Sequence, residues 1–111
     1  MILGIYGAGG LGREVLELAR QINYACPRWD DILFIDDVTT ETVVNGASVI
    51  RFADILDGTE VIIGIGEPAA RQSLANKIAG QYPLATLIHP DVFIPDTTRV
   101  GEGCIISSGA F

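Results

Sequence analysis

A six-residue beat runs through the end of the chain and restricts what that stretch can form. Ile88, Ile94, Val100 and Ile106 fall six apart, and four residues after each comes a smaller one: Val92, Thr98, Cys104 and Ala110. A hexad with paired large and small positions is the pattern of a parallel β-helix. Each hexad lays one flat side of a coil, with the large aliphatic inside and the small residue near a corner. Three hexads close a turn, so the beat covers little more than one. A lone turn leaves its apolar end uncovered, because repeats bury one another's faces by stacking. The expected organisation is a complete domain over residues 1–88 and the opening of a second over 89–111, the front part of a longer protein.

Residues 1–88 alternate two periodicities. MILGIY at 1–6 is an apolar run of strand length, followed by GAGGLG at 7–12. Leu11, Val15, Leu18, Ala19 and Ile22 then recur at steps of three and four, one apolar face of a helix that Pro27 closes. DILFIDD at 31–37 is a second strand ending in two acids. VVNGASVI at 43–50 has a central Asn-Gly, which favours a tight turn between short extended pieces. Residues 51–56 suit a short helix stopped by Asp57-Gly58, and EVIIGI at 60–65 is an apolar strand. Gly66-Glu67-Pro68 turns into a helix with proline first, where a missing N–H costs nothing. Its inward face is Ala70, Leu74 and Ile78, and Gly80 ends it. LATLI at 84–88 is a last strand before His89-Pro90. Strands alternating with helices imply an α/β fold, a small Rossmann-like parallel sheet with flanking helices. Five strand candidates make one mononucleotide-binding half, not the two that a dinucleotide spans.

Charge and cysteine content narrow the partners. The net charge of −7 argues against nucleic acid, whose phosphates need clustered Lys and Arg. The apolar runs are short and broken, so no membrane span is expected, and MILGIY lacks the basic start of a signal peptide. Cys26 and Cys104 form no metal spacing and no redox CxxC, and Cys104 fits the small slot of its hexad. A cytoplasmic location is expected.

The candidate site gathers at three strand ends. Gly7, Gly9 and Gly12 match G-x-G-x-x-G between a strand and a helix. Gly7 permits the tight turn, Gly9 lets backbone approach a phosphate, and Gly12 lets helix and strand pack closely. The bland alternative is a turn kept for packing, with Gly10 leaving the loop loose. Asp36 and Asp37 end the second strand at the same mouth, either receiving hydrogen bonds from a ribose or base, or capping a turn. Gly64, Gly66 and Glu67 face them across the crevice, or merely turn the chain into its helix. Arg13 and Arg71 sit early in their helices, within reach of a phosphate or solvated at the surface. His89, the single histidine, has no obvious Asp, Ser or Cys arranged around it and suits a junction better than general-base work. Trp29, Tyr24 and Tyr82 read as core or edge packing.

Taken in order, IYGAGGLGREV, FIDD, IIGIGEPAAR, LIHP and the hexads resemble, over the whole chain, the sugar acyltransferases typified by the bacterial PglD and NeuD proteins. The resemblance implies a Rossmann-like domain joined to a left-handed parallel β-helix, assembled as a homotrimer. It implies transfer of acetyl from acetyl-CoA to an amino or hydroxyl group of a sugar, often a UDP-linked amino sugar or a sialic-acid-type sugar, for surface glycans. By position, Gly7, Ala8, Gly9, Gly10, Gly12, Asp36, Asp37, Gly66 and Glu67 would line the nucleotide-sugar site. Gly9 and Leu11 stand where such enzymes commonly carry Ser and His, which leaves the sugar open. The family's catalytic histidine and its acetyl-CoA groove lie in later coils, so no residue here is expected to be catalytic and no acetyl transfer is expected of this chain alone. The rival expectations are an NAD(P)-dependent oxidoreductase domain, favoured by the glycines and Asp36, and a non-catalytic module that self-associates through its hexad end.

Overall fold

The computed structural model describes residues 1–94 and 100–106. The elements follow in the order β1 (Ile2–Tyr6), α1 (Gly10–Ala25), β2 (Asp31–Ile35), β3 (Val43–Val44), β4 (Ala47–Ile50), β5 (Glu60–Ile63), α2 (Pro68–Ile78), β6 (Leu87–Ile88) and β7 (Ile105–Ile106). A single 3₁₀ turn, Phe52–Asp54, lies between β4 and β5. Five strands form one sheet in the order β3-β4-β2-β1-β5. β1 lies between β2 and the edge strand β5 and runs parallel to both. β4 runs parallel to β2, and only β3 is antiparallel, as the return arm of a hairpin with β4. Asn45 and Gly46 at its tip have φ of 49° and 79°, the two positive angles a type I′ turn needs.

Side chains leave a strand on alternate faces, so each strand feeds two cores. Leu3, Ile5, Phe34 and Ile62 pack with Val15, Leu16, Leu18 and Ala19 of α1 and with Trp29. Leu33, Ile35, Val61 and Ile63 pack on the other face with Tyr6, Ile55 and Ile78 of α2. The sheet is therefore covered on both sides, as the apolar strands require.

Several expectations change in detail. The helix face of α1 includes Leu16, which is buried, whereas Leu11 is 38% exposed; it stands in the first turn, above the sheet. Tyr24 is 93% exposed and takes no part in the packing that buries Trp29. The helix expected over 51–56 shortens to the 3₁₀ turn, and the strand over 60–65 ends at Ile63. LATLI is not one strand. Leu84 makes an isolated parallel bridge to Val61 at the sheet edge, and β6 begins only at Leu87.

β6 leaves the main sheet and pairs in parallel with β7. Leu87 faces Ile105 and Ile88 faces Ile106, a return after three hexads. Ile94 and Val100 are half-buried along the way. Thr98 and Ala110, two of the small positions of the beat, lie outside the described residues.

The tightest point is where β1 passes into α1. An ideal Cβ on Gly12 would stand 1.8 Å from the Gly7 carbonyl oxygen, inside any tolerable contact. Gly10, by contrast, has open space. Gly12→Ala is expected to destabilise the chain by about 3 kcal/mol or more. Gly10→Ala is expected to be neutral or slightly stabilising, by about 0.5 kcal/mol. Urea unfolding of the two variants checks the contrast.

Candidate functional site

The crevice opens at the carboxyl ends of β1, β2 and β5, where the strand order turns outward in both directions from β1. Ligands of open α/β sheets bind at such a switch point. Gly7 leaves β1 with φ of 111°, which an L side chain rarely adopts. The chain then enters α1 with Gly9 as N-cap, so no side chain caps the helix, and no acid stands in its first turn. The first N–H groups of a helix have no partner within it and carry its positive end. Neither Gly9 nor Gly10 has a neighbour within 4 Å of a Cβ placed there, so the loop is open above those groups.

The other helix start is different. Glu67 folds back on α2, accepting from the N–H of Ala69 at 3.1 Å and of Ala70 at 2.6 Å. Those two bonds hold its carboxyl below the usual carboxylate range. Glu67 is thus engaged as a cap, while Gly66 lies against Leu11 of α1. An anion entering the crevice meets one helix end already satisfied by its own carboxylate and one left free.

The two acids brace this entrance. Asp36 accepts from the Ala8 N–H at 3.0 Å with one oxygen and from Val38 and Thr39 N–H at 2.9 and 3.0 Å with the other. Burial works against its charge, but the N–H bonds of Ala8, Thr39 and Val38 outweigh it and hold the carboxyl below the usual range. Asp37 accepts from the Phe52 N–H at 2.9 Å, the Tyr6 hydroxyl at 2.9 Å and Lys77 Nζ at 3.2 Å. The Phe52 bond lowers its pKa most, against a smaller opposing effect of burial.

Tyr6 and Lys77 are the functional candidates that sequence reasoning missed. Lys77 Nζ donates to the Tyr6 hydroxyl at 3.1 Å and sits 4.4 Å from the centre of the Phe52 ring. Its pKa is raised by the Tyr6 bond first and Asp37 second, so it stays charged. The Tyr6 hydroxyl is pushed up chiefly by burial. Nothing local announces this cluster, because Lys77 lies 40 residues from Asp37 and 71 from Tyr6. Tyr6, Gly7, Asp36, Asp37, Ile65, Leu74 and Lys77 line a cavity of about 300 Å³, with Val38 standing 91% exposed at its rim. That is the size of a small ligand pocket, with an apolar wall and a few convergent polar groups.

Other candidates lie elsewhere. Arg13 is exposed, and its side chain donates to the Gly9 carbonyl of its own turn. Arg71 reaches away from the crevice, to the carbonyls of Ile63 and Gly103. His89 accepts from the Asp91 N–H at Nδ1, 3.1 Å, which leaves Nε2 to donate to Gln21 Oε1 at 2.8 Å. Both ring nitrogens are thus engaged, Nδ1 within its own turn and Nε2 in tying that segment to α1. Among the described residues no cluster of His, Cys, Asp and Glu could hold a metal ion, and no helix is long and apolar enough to cross a membrane.

These features define a Rossmann-type α/β domain with its crevice at the strand switch point. The chain belongs to the PglD/NeuD-like family, matching the PglD N-terminal domain over residues 2–78. It is 33% identical to the GDP-perosamine N-acetyltransferase of Escherichia coli O157:H7 over 113 aligned positions, 96% of this chain and 51% of that protein. The acetyltransferase domain of PglB from Neisseria gonorrhoeae FA1090 superposes with a TM-score of 0.78 at 29% identity, over 92% of this chain and 51% of that one. Its structure in complex with acetyl coenzyme A gives 0.80 at 29% identity, over 92% and 50%. The chain spans about half the length of these relatives.

The bracing by Asp36 has a measurable consequence. A carboxyl whose folded pKa is depressed contributes stability that is present above its unfolded pKa, about 3.9, and lost as pH falls through the folded value. Asp36→Asn is expected to destabilise by about 2 kcal/mol near neutral pH, because it removes the charge from three backbone bonds. The variant's stability should also fall less steeply below about pH 4 than the parent's. Thermal unfolding across pH 2.5–7 reads both effects (roughly the window in which carboxyls titrate).

Proposed function

We propose that this chain is the substrate-holding part of a sugar acetyltransferase, and that its crevice takes a nucleotide-linked amino sugar. The observation that carries this is the uncapped start of α1, open above Gly9 and Gly10, beside a cavity of about 300 Å³. A diphosphate suits the free N–H groups and the positive helix end. The cavity between Val38, Ile65 and Leu74 suits a base or ribose, with Lys77 and the Tyr6 hydroxyl at its edge. Asp36 acts in this reading by holding Ala8 and the loop in place, and Glu67 by leaving α1 as the single free helix end.

In the same reading acetyl-CoA is the acyl donor, as the solved complex of the PglB domain with acetyl coenzyme A supports. The β6–β7 pairing is the first contact of a β-helical coil, and neighbouring copies in a cytoplasmic homotrimer complete the reaction site. The residues described here hold the acceptor sugar and do not transfer the acetyl group. The named relative acts on a GDP sugar, so the base is tested as guanine against uracil.

Calorimetric titration of the chain with GDP-mannose, UDP-N-acetylglucosamine and NADH separates the readings. One nucleotide sugar is expected to bind, and Gly9→Val to weaken it at least about tenfold, or about 1.4 kcal/mol. The extended backbone at Gly9 accepts valine, so the fold should survive. NADH binding more tightly than either sugar nucleotide would return the chain to the oxidoreductase class. Sugar-nucleotide binding indifferent to Gly9→Val would move the ligand off the loop.

A further inference from the structure

α2 has a cavity on each side. Leu74 and Lys77 face the crevice. Arg71 and Ala75, with Leu84 and Gly103 opposite, line a second cavity of about 270 Å³. Arg71 is half-buried there, and its guanidinium donates from Nη1 to the Ile63 carbonyl at 3.4 Å and from Nη2 to the Gly103 carbonyl at 3.3 Å. No carboxylate of the described residues pairs with it.

The two carbonyls belong to different parts of the molecule. Ile63 ends β5, two residues before Ile65, which walls the crevice. Gly103 has φ of 74° and forms the turn into β7, the strand on which the hexads return. A planar guanidinium carries its donors in a fixed fork, so holding both carbonyls at once sets their separation. Lysine, a single point of charge on a flexible stem, sets none.

We propose that Arg71 is a positioning residue, which clamps the hexad turn at Gly103 to the carboxyl end of the sheet and so fixes where the coil stands relative to a ligand in the crevice. Its importance for acetyl transfer rests on the function proposed above; the clamp itself does not. Arg71 needs no contact with the ligand, since Lys77 alone of the two cations on α2 lines the crevice cavity.

Amide hydrogen exchange on the 111-residue chain tests this. The N–H groups of Leu87 and His89 donate to the carbonyls of Cys104 and Ile106 at 2.9 and 2.8 Å, and so report the pairing of β6 with β7. In Arg71→Gln their exchange is expected to rise about tenfold, with the amides of β1 and β2 unchanged. Arg71→Lys keeps the cation without the fork and is expected to leave the exchange raised as in Arg71→Gln; protection restored in full by lysine would overturn the fork as its cause. Nucleotide affinity in both variants should stay within about twofold of the parent. Unchanged exchange at Leu87 and His89 would overturn the clamp. So would a rise shared equally by β1 and β2, the mark of general stabilisation, or a loss of nucleotide affinity with exchange intact, the mark of a ligand contact. If the parent chain binds no nucleotide, the reading of the crevice fails by itself, and exchange still decides the role of Arg71.

Discussion

α1 leaves β1 along a path so tight that the Gly12 backbone lies against the Gly7 carbonyl, with β5 closing in from the other side. A Cβ on Gly64 would come within 2.8 Å of the Gly12 Cα. Three backbones meet there without side chains between them. Their approach sets the depth of the crevice, since a bulkier residue at any of the three would lift the helix start away from the strand ends. It also aims the helix end across the mouth of the sheet, where charge on a ligand is felt most strongly. The rest of the site is arranged around that fixed point. Asp36 ties Ala8 to the end of β2, and Gly66 rests on Leu11.

The electrostatics are less simple than two acids at a ligand site. Asp36 and Asp37 both direct their oxygens to the protein's own donors. Asp37 also neutralises Lys77. The cavity is therefore lined by a buffered pair and by Tyr6, whose ring stacks on Phe52 behind it at 5.9 Å, and not by an open negative patch. In a chain of net charge −7, the carboxylates at this mouth are held where bonds to backbone N–H groups offset their repulsion.

Much of the main sheet was legible in sequence because its signals are local. Alternating periodicities, the Asn-Gly turn, proline at the first position of α2 and the spacing of the glycines each act within a few residues. Of the hexad beat, the described residues show one short parallel pairing, β6 with β7 eighteen residues on, and not a β-helix. What stayed hidden depends on tertiary neighbours. Lys77 reads as an ordinary surface lysine until α2 packs beside β1. Leu11 fits the helical period yet is left 38% exposed, beside Gly66 and outside the core that buries Leu16. LATLI has the composition of one strand, but its two halves serve different partners, Val61 at the sheet edge and Ile105 of β7. Glu67 could be read as ligand or cap, and only the positions of the Ala69 and Ala70 N–H groups show it engaged as a cap.

Positions 9 and 10 differ from the other glycines of their loop in having open space where a Cβ would stand. Gly7 and Gly12 are fixed by geometry, so a lineage that changes them loses the fold. Gly9 and Gly10 are free of that constraint, and a Cβ there would meet no neighbour within 4 Å. The loop thus divides into residues that inheritance must preserve and residues on which it can experiment. Substitution at Gly9 or Gly10 can therefore remake the outer surface of the loop while the backbone packing of Gly7 and Gly12 beneath it stays as it is.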